Sequence, residues 1–309
     1  MKIRFGFEIE YNSSAGVPMV VLLSAQPNAQ QRLVQSDALM LEPHVASVSY
    51  LDAFGNTCRR FICPAGTVRL RADGIVEDSG LPEAAAYDAQ EVSVADLPPD
   101  AVQYLLGSRY CETDLLMSDA WRLFGHLAPG WSRVQAICDF VNQYVTFGYQ
   151  YANSTKTAQQ TYLQRTGVCR DLAHLAITFC RCLNIPARYC TTYLGDIGVP
   201  PVDAAMDFAG CMEVYLGGNW HSFDPRNNAR RIGRILIARG RDAADVAFST
   251  AFGNSRLQSF KVWTYEISEW QQGLESAEHS PGLADVQAAQ GGPVRHRDRL
   301  GLASESRLQ

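Results

Sequence analysis

The stretch TGVCRDLAHLAITFCRCLNIPARY, residues 166–189, puts Cys169 directly after a small, flexible pair and at the start of an apolar helical pattern. A thiol at a helix N-terminus faces unpaired backbone N–H groups and the positive end of the dipole, both of which favour the thiolate. Thiol catalysis needs two further groups. A base must take the proton and hand it to a leaving group, and an acid must orient that base. Asp224 closes the second strand of the segment CMEVYLGGNWHSFDP, where a carboxylate can accept backbone N–H bonds at the DPRNN turn.

Six histidines are available as bases. His174 lies five residues beyond Cys169 on the same helix, about 500° round and so about 140° away after one full turn. It faces away from the thiol, and a core or buried hydrogen-bonding role is expected. His221 is nearer Asp224 in sequence. In a regular strand residues 221 and 224 point to opposite faces, while Ser222 and Asp224 share one. A bulge would reverse this, so His221 stays as the rescue base. His44, His126, His279 and His296 have no motif around them. Cys180 and Cys182 sit two apart inside a helical pattern, where side chains diverge, and no finger-like second pair accompanies them. No calcium loop of the Asp-x-Asp-x-Asp kind occurs. No metal and no cofactor are expected.

These residues must be positioned by two differently patterned halves. The chain has 309 residues, is 47% apolar and carries a formal charge of −5. That is enough for two cores, and it gives no electrostatic support to a nucleic-acid or anionic-membrane partner. The start MKIRFGFEIEY alternates and lacks a signal-peptide apolar run, and no stretch approaches the roughly 20 apolar residues of a membrane span. Nine cysteines without a small-domain framework fit free thiols in a cytoplasmic protein. The first ninety-odd residues read as strands: KIRFGFEIEY, VPMVVLLSA, two strands around Gly55-Asn56, and TVRLRADGIVED. Beyond the Pro-rich SVADLPPDAV the period becomes helical. Val134, Ile137, Phe140, Val141 and Tyr144 share one face, with Ser132 as a candidate cap, and a second helix runs from Cys169 to Asn184-Ile185-Pro186. ARYCTTYL reads as a strand, and CMEVYLGGNWHSFDP as a hairpin turning at Gly217-Gly218. The expected division is a β-rich domain over 1–95, a linker over 96–102, a core over 103–275 and a disordered tail over 276–309.

Three blocks, GVCRDLAHLAITFCRCLNIPARYC, MEVYLGGNWHSFDPRNN and ILIARGRDAADVAFSTAFG, come in an order and spacing that resemble the bacterial transglutaminase-like superfamily. Its core carries a Cys-His-Asp triad on a papain-like fold. The resemblance spans roughly residues 1–255 and implies an α+β protein, a β-sandwich-like N-terminal domain followed by a papain-like transglutaminase core. Carried over by position, Cys169 matches the family nucleophile and Asp224 the orienting acid. The family histidine opens the strand before the hairpin, in a stretch resembling HAWVEVYL. Aligning EVYL on itself places that position at Ala209, and an alanine can neither accept nor donate the proton.

Two functions follow. One is a Cys169-dependent amide-bond hydrolase (protease or amidase) or acyl transferase working through a thioester, impaired or altered by the missing histidine. The other is an inactive binding or scaffold protein that keeps the cleft. Both imply a peptide or protein as substrate or ligand. The charged run RNNARRIGR reads as a solvated loop face, close enough to Asp224 to receive a carboxylate or acidic peptide.

Overall fold

A computed structural model describes residues 1–267 apart from positions 29 and 203. The expected tail over 276–309 lies outside the described residues. The front of the chain forms seven strands: β1 (Lys2–Ser13), β2 (Val17–Val21), β3 (Gln31–Gln35), β4 (Met40–Glu42), β5 (Ser47–Leu51), β6 (Thr57–Cys63) and β7 (Gly66–Asp78). Alternation in β1 turns Ile3, Phe5, Phe7, Ile9 and Tyr11 inward, and β7 does the same with Val68, Leu70, Ala72 and Val76. The turn from β5 to β6 is built by Asp52, whose Oδ1 accepts the N–H groups of Phe54 and Asn56 at 2.8 Å each.

The second half supplies α1 (Pro99–Val102), α2 (Thr113–Phe124), α3 (Trp131–Tyr144), α4 (Ala158–Gln164) and α5 (Cys169–Cys182). Between and after them come β8 (Thr146–Phe147), β9 (Thr166–Gly167), β10 (Ala187–Tyr193), β11 (Ala209–Leu216), β12 (Asn219–Phe223) and β13 (Ile235–Gly240). The antiparallel sheet β12-β11-β10-β13 covers α5, whose residues Asp171–Cys182 are all buried, and α2, α3 and α4 pack round the rest of it. Gly217 and Gly218, at φ 57° and 85°, make the two-residue turn between β11 and β12, a conformation that only glycine takes without strain at both positions. The fold is therefore a mixed α+β one, a sheet domain ahead of a helix-centred, papain-like core.

Three details differ from the sequence reading. The chain does not stay in the core to residue 275. β14 (Ser249–Ala251) pairs with β2, and β15 (Ser255–Glu266) pairs with β1 along its length, so the front sheets are β15-β1-β7-β3, with β4 beside β7, and β14-β2-β6-β5. Alternation in SRLQSFKVWTYE specifies a strand but not its distant partner. The segment 96–102 is not a free linker either. It coils into short helical turns that bury Ala101 and, just beyond, Tyr104, whose ring meets Trp220 edge-on at 5.3 Å. Ser132 lies inside the first turn of α3 rather than capping it, because Gly130, at φ 101°, is the cap position.

The two halves share one apolar core. Phe5 packs on Tyr193 with centroids 5.0 Å apart, and Phe208 contacts Phe7, Phe248 and Phe260. Among the described residues no helix is long and apolar enough to cross a membrane. Since β15 closes an edge of the front sheet and Phe260 reaches the shared core, deleting Ser255–Glu266 is expected to abolish cooperative unfolding of the whole chain in urea, followed by circular dichroism. A front domain independent of this strand would leave the transition intact.

Candidate functional site

The first turn of α5 is fixed from its own residues. Asp171 Oδ2 accepts the Val168 N–H at 3.0 Å, and Oδ1 takes Arg170 Nε and Nη2 at 3.2 and 3.1 Å. Arg170 also donates to the Asn153 carbonyl. A carboxylate three residues into a helix satisfies one of its orphan donors. His174 is fully buried one turn on, stacked on Tyr110 at 5.1 Å and touching Tyr189 at 5.0 Å. Its Nε2 accepts the Ala243 N–H at 3.1 Å. Burial, together with Arg170 and Arg181, holds its pKa well below the ordinary histidine value, so it is a neutral core group turned away from the thiol.

Cys169 opens the helix at the floor of a cavity of about 360 Å³ and shares that cavity with Ala209. The Gly210 N–H is near enough to the sulfur to favour the thiolate. Close approach is possible here because residue 210 has no side chain: a Cβ would stand 2.5 Å from Tyr189 Oη and 3.3 Å from the Arg170 nitrogen. Burial pushes the Cys169 thiol up to about 11. Gly210 and Arg226 pull against this, and the carboxylates of Asp207 and Asp224 reinforce it. That is opposite to the direction expected from the helix start alone, because desolvation of a thiolate outweighs the helix terminus.

Asp224 follows β12. Phe223 pairs with Met212, so the register carries Asp224 opposite Cys211, and Ala209 lies two residues along on the same face. An imidazole at position 209 would thus stand diagonally beside this carboxylate. The carboxylate is already satisfied. Oδ1 accepts the N–H groups of Arg226 and Asn227 at 3.1 and 2.9 Å, and Oδ2 accepts Asn227 Nδ2 at 2.7 Å and Arg234 Nη2 at 2.6 Å. Against the cost of burial, Arg234 and these donors hold the Asp224 carboxyl below its ordinary value. Arg234 in turn gives Nε to Glu83 Oε1 at 2.6 Å, and Nη1 reaches Thr192 Oγ1 at 3.4 Å. Thr192 itself donates to the Ala209 carbonyl at 3.1 Å.

His221 is not brought to this place. It pairs with Val214, five strand residues or about 16 Å from Ala209. Its Nε2 lies 3.2 Å from the Leu216 carbonyl and its ring meets Trp131 edge-on at 5.5 Å. β12 has no bulge to re-aim it. No histidine lines the cavity among the described residues. Its charged lining groups are Asp196, Asp207, Arg226 and Arg231. Burial pushes the Asp207 carboxyl up to about 6. The run RNNARRIGR is only partly a solvated face: Arg231 and Arg234 are buried and Arg226 is half-buried.

Sequence reading missed Arg234, Glu83 and Asp207, since nothing local distinguishes a buried arginine from a solvated one. The signal available was the density of arginines after an acid-bearing turn. Cys180 and Cys182 are both buried, and Cys182 Sγ reaches the Thr113 carbonyl at 3.4 Å. No cluster of three or more His, Cys, Asp or Glu side chains suited to a metal ion occurs among the described residues.

A helix-start cysteine facing the first residues of a sheet strand, with an aspartate at the end of the neighbouring strand, defines a papain-like thiol architecture. Residues 123–225 match the family model described as the transglutaminase-like superfamily. The crystal structure of a "Putative Cysteine Protease from Cytophaga hutchinsonii" superposes with a TM-score of 0.75 at 30% identity, covering 87% of this chain and 91% of that one. An uncharacterized Mycobacterium tuberculosis protein is 28% identical over 248 residues, 72% of this chain and 77% of its own. An uncharacterized Mycobacterium leprae protein is 34% identical over 91 residues, 27% of this chain and 31% of its own. The chain belongs to the transglutaminase-like superfamily.

Asp224→Asn leaves the buried Arg234 charge with Glu83 alone and is expected to cost about 3 kcal/mol in urea unfolding, from the usual penalty of breaking a buried pair. A carboxylate idle in the fold would show no such loss. Asp207→Asn tests the opposite case. A carboxyl raised from 3.8 to about 6 in the folded state binds more protons there than in the unfolded chain, so stability falls as pH rises between those values. The asparagine variant is therefore expected to melt higher than the parent above pH 6 and level with it below about pH 4, by calorimetry across pH.

Proposed function

We propose that this is a transglutaminase-fold binding protein that uses its cleft to hold a peptide-like ligand beside a protonated thiol, without turnover. The observation that carries this reading is Ala209 in the cavity beside Cys169, at the strand position where the superfamily resemblance places the base. Two facts support it. Desolvation and the nearby carboxylates push the half-buried Cys169 thiol up, to about 11, which favours the protonated form at neutral pH. The acid that would orient an imidazole is occupied by Arg234. The cavity has apolar walls at Phe147, Leu194, Val199 and Met206, mixed with a few fixed polar groups, which suits a peptide-sized ligand.

The second reading is Cys169-dependent hydrolysis or acyl transfer. It is favoured by the helix-start cysteine with the Gly210 N–H near its sulfur, and by the likeness to a protein named as a cysteine protease. Water or an amine would then resolve the same thioester.

Iodoacetamide labelling of Cys169 across pH separates the two. The parent protein is expected to label with a midpoint well above the free-cysteine value of about 8.5, and to show no Cys169-dependent turnover of peptide or ester substrates. Ala209→His is expected to lower the midpoint by more than one unit, by forming a thiolate–imidazolium pair. Turnover by the parent that disappears in Cys169→Ala establishes the enzyme reading instead.

A further inference from the structure

Of the four charged groups that line the cavity among the described residues, three have places in the protein's own bonding. Arg231 Nη2 donates to the Gly195 carbonyl at 2.9 Å and lies 3.8 Å from Asp196, so it pins the loop that forms one wall. Asp207 accepts the N–H of its neighbour Phe208 at 2.7 Å. Arg226 differs. Its backbone is anchored, with the N–H on Asp224 and the carbonyl accepting Asn142 Nδ2 at 2.7 Å. Its guanidinium, however, lies over the Phe147 ring at 4.2 Å and has no ion pair or hydrogen bond with any described residue. Stacking on an aromatic face restricts the side chain while leaving its in-plane N–H fork open, an arrangement preorganised for a carboxylate. Arg226 lines the same cavity as Cys169 and Asp207.

We infer that the cleft recognises a carboxylate-bearing peptide, with the carboxylate bound by the Phe147-stacked guanidinium of Arg226 beside Cys169. This rests on the binding-protein reading of the same cleft and adds the ligand class. The phenyl ring of Phe147 covers one face of the half-buried guanidinium, so the contact is worth more than a fully exposed ion pair. The carboxylate is either a peptide C-terminus or an acidic side chain, and both present the same bidentate acceptor.

Isothermal titration calorimetry on the full chain tests this with two matched pairs. The first is Ala-Ala-Ala with a free or an amidated C-terminus. The second is acetyl-Ala-Glu-Ala-amide against its Gln counterpart. In at least one pair the acid is expected to bind ten-fold or more tightly than the amide, and the responding pair names the source. Arg226→Met is expected to remove the discrimination with an unchanged melting temperature, Arg226→Lys to retain part of it, and Phe147→Leu to weaken it. Equal affinities within both pairs, discrimination that survives Arg226→Met, or no binding by any of the four at millimolar concentration overturns the inference. Cys169-dependent turnover would sink the binding-protein reading alone, because an acid preference lost in Arg226→Met would then appear in KM.

Discussion

Arg234 is a guanidinium with almost no access to water, and a charge in that position is tolerated only where opposite charges and hydrogen-bond acceptors surround it. Asp224 and Glu83 supply those partners from two distant parts of the chain. Glu83 comes from the segment leaving the front sheets, and its other oxygen and its backbone bind Arg231 and Arg230. Asp224 comes from the end of the β11–β12 hairpin and caps the turn that sets Arg226 and Asn227 on the cavity wall. One buried charge therefore ties the connector, the hairpin and the wall of the cleft together. Each partner is needed because removing one strands the other in a medium that cannot solvate it.

This use of Asp224 bears directly on the chemistry of the site. In a working triad the acid accepts a hydrogen bond from an imidazole and stabilises the imidazolium that forms. Here both carboxylate oxygens are filled by four other donors, and the position beside them is an alanine. The thiol experiences the consequence. With no cationic ring to offset desolvation, burial and two nearby carboxylates favour the neutral sulfhydryl, and the partial charges offered by the helix start and Gly210 do not reverse it. The position of the helix-start thiol is set by packing, and its protonation by the charges and the desolvation around it.

The cleft itself depends on the way the two halves lock. Phe208, the residue before Ala209, is gripped by Phe7, Tyr193, Phe248 and Phe260, which belong to strands or loops from both ends of the sequence. That aromatic cluster fixes where β11 begins, and so fixes the distance between the start of β11 and the start of α5. The last strand, returning to β1, completes the front sheet and carries Phe260 into the same cluster.

Local pattern was enough for much of this. Alternation in KIRFGFEIEY and TVRLRADGIVED specifies half-buried strands because side chains alternate across a sheet. The helical period after Cys169, stopped at Pro186, specifies α5. Two adjacent glycines specify a tight hairpin. The three blocks placed Cys169, Ala209 and Asp224 in one family frame. What the sequence could not carry was any property set by residues far apart along the chain. The return of β15 to β1, the packing of 96–105, and the pairing of Arg234 with both Glu83 and Asp224 are long-range. An arginine in RNNARRIGR is the same letter whether it is solvated, buried or stacked on Phe147. Nor could it carry the thiol's protonation, since a helix-start cysteine is favoured as thiolate by local geometry and disfavoured by desolvation. Only the tertiary structure, by deciding how much water remains around the sulfur and which charges face it, determines which of these wins.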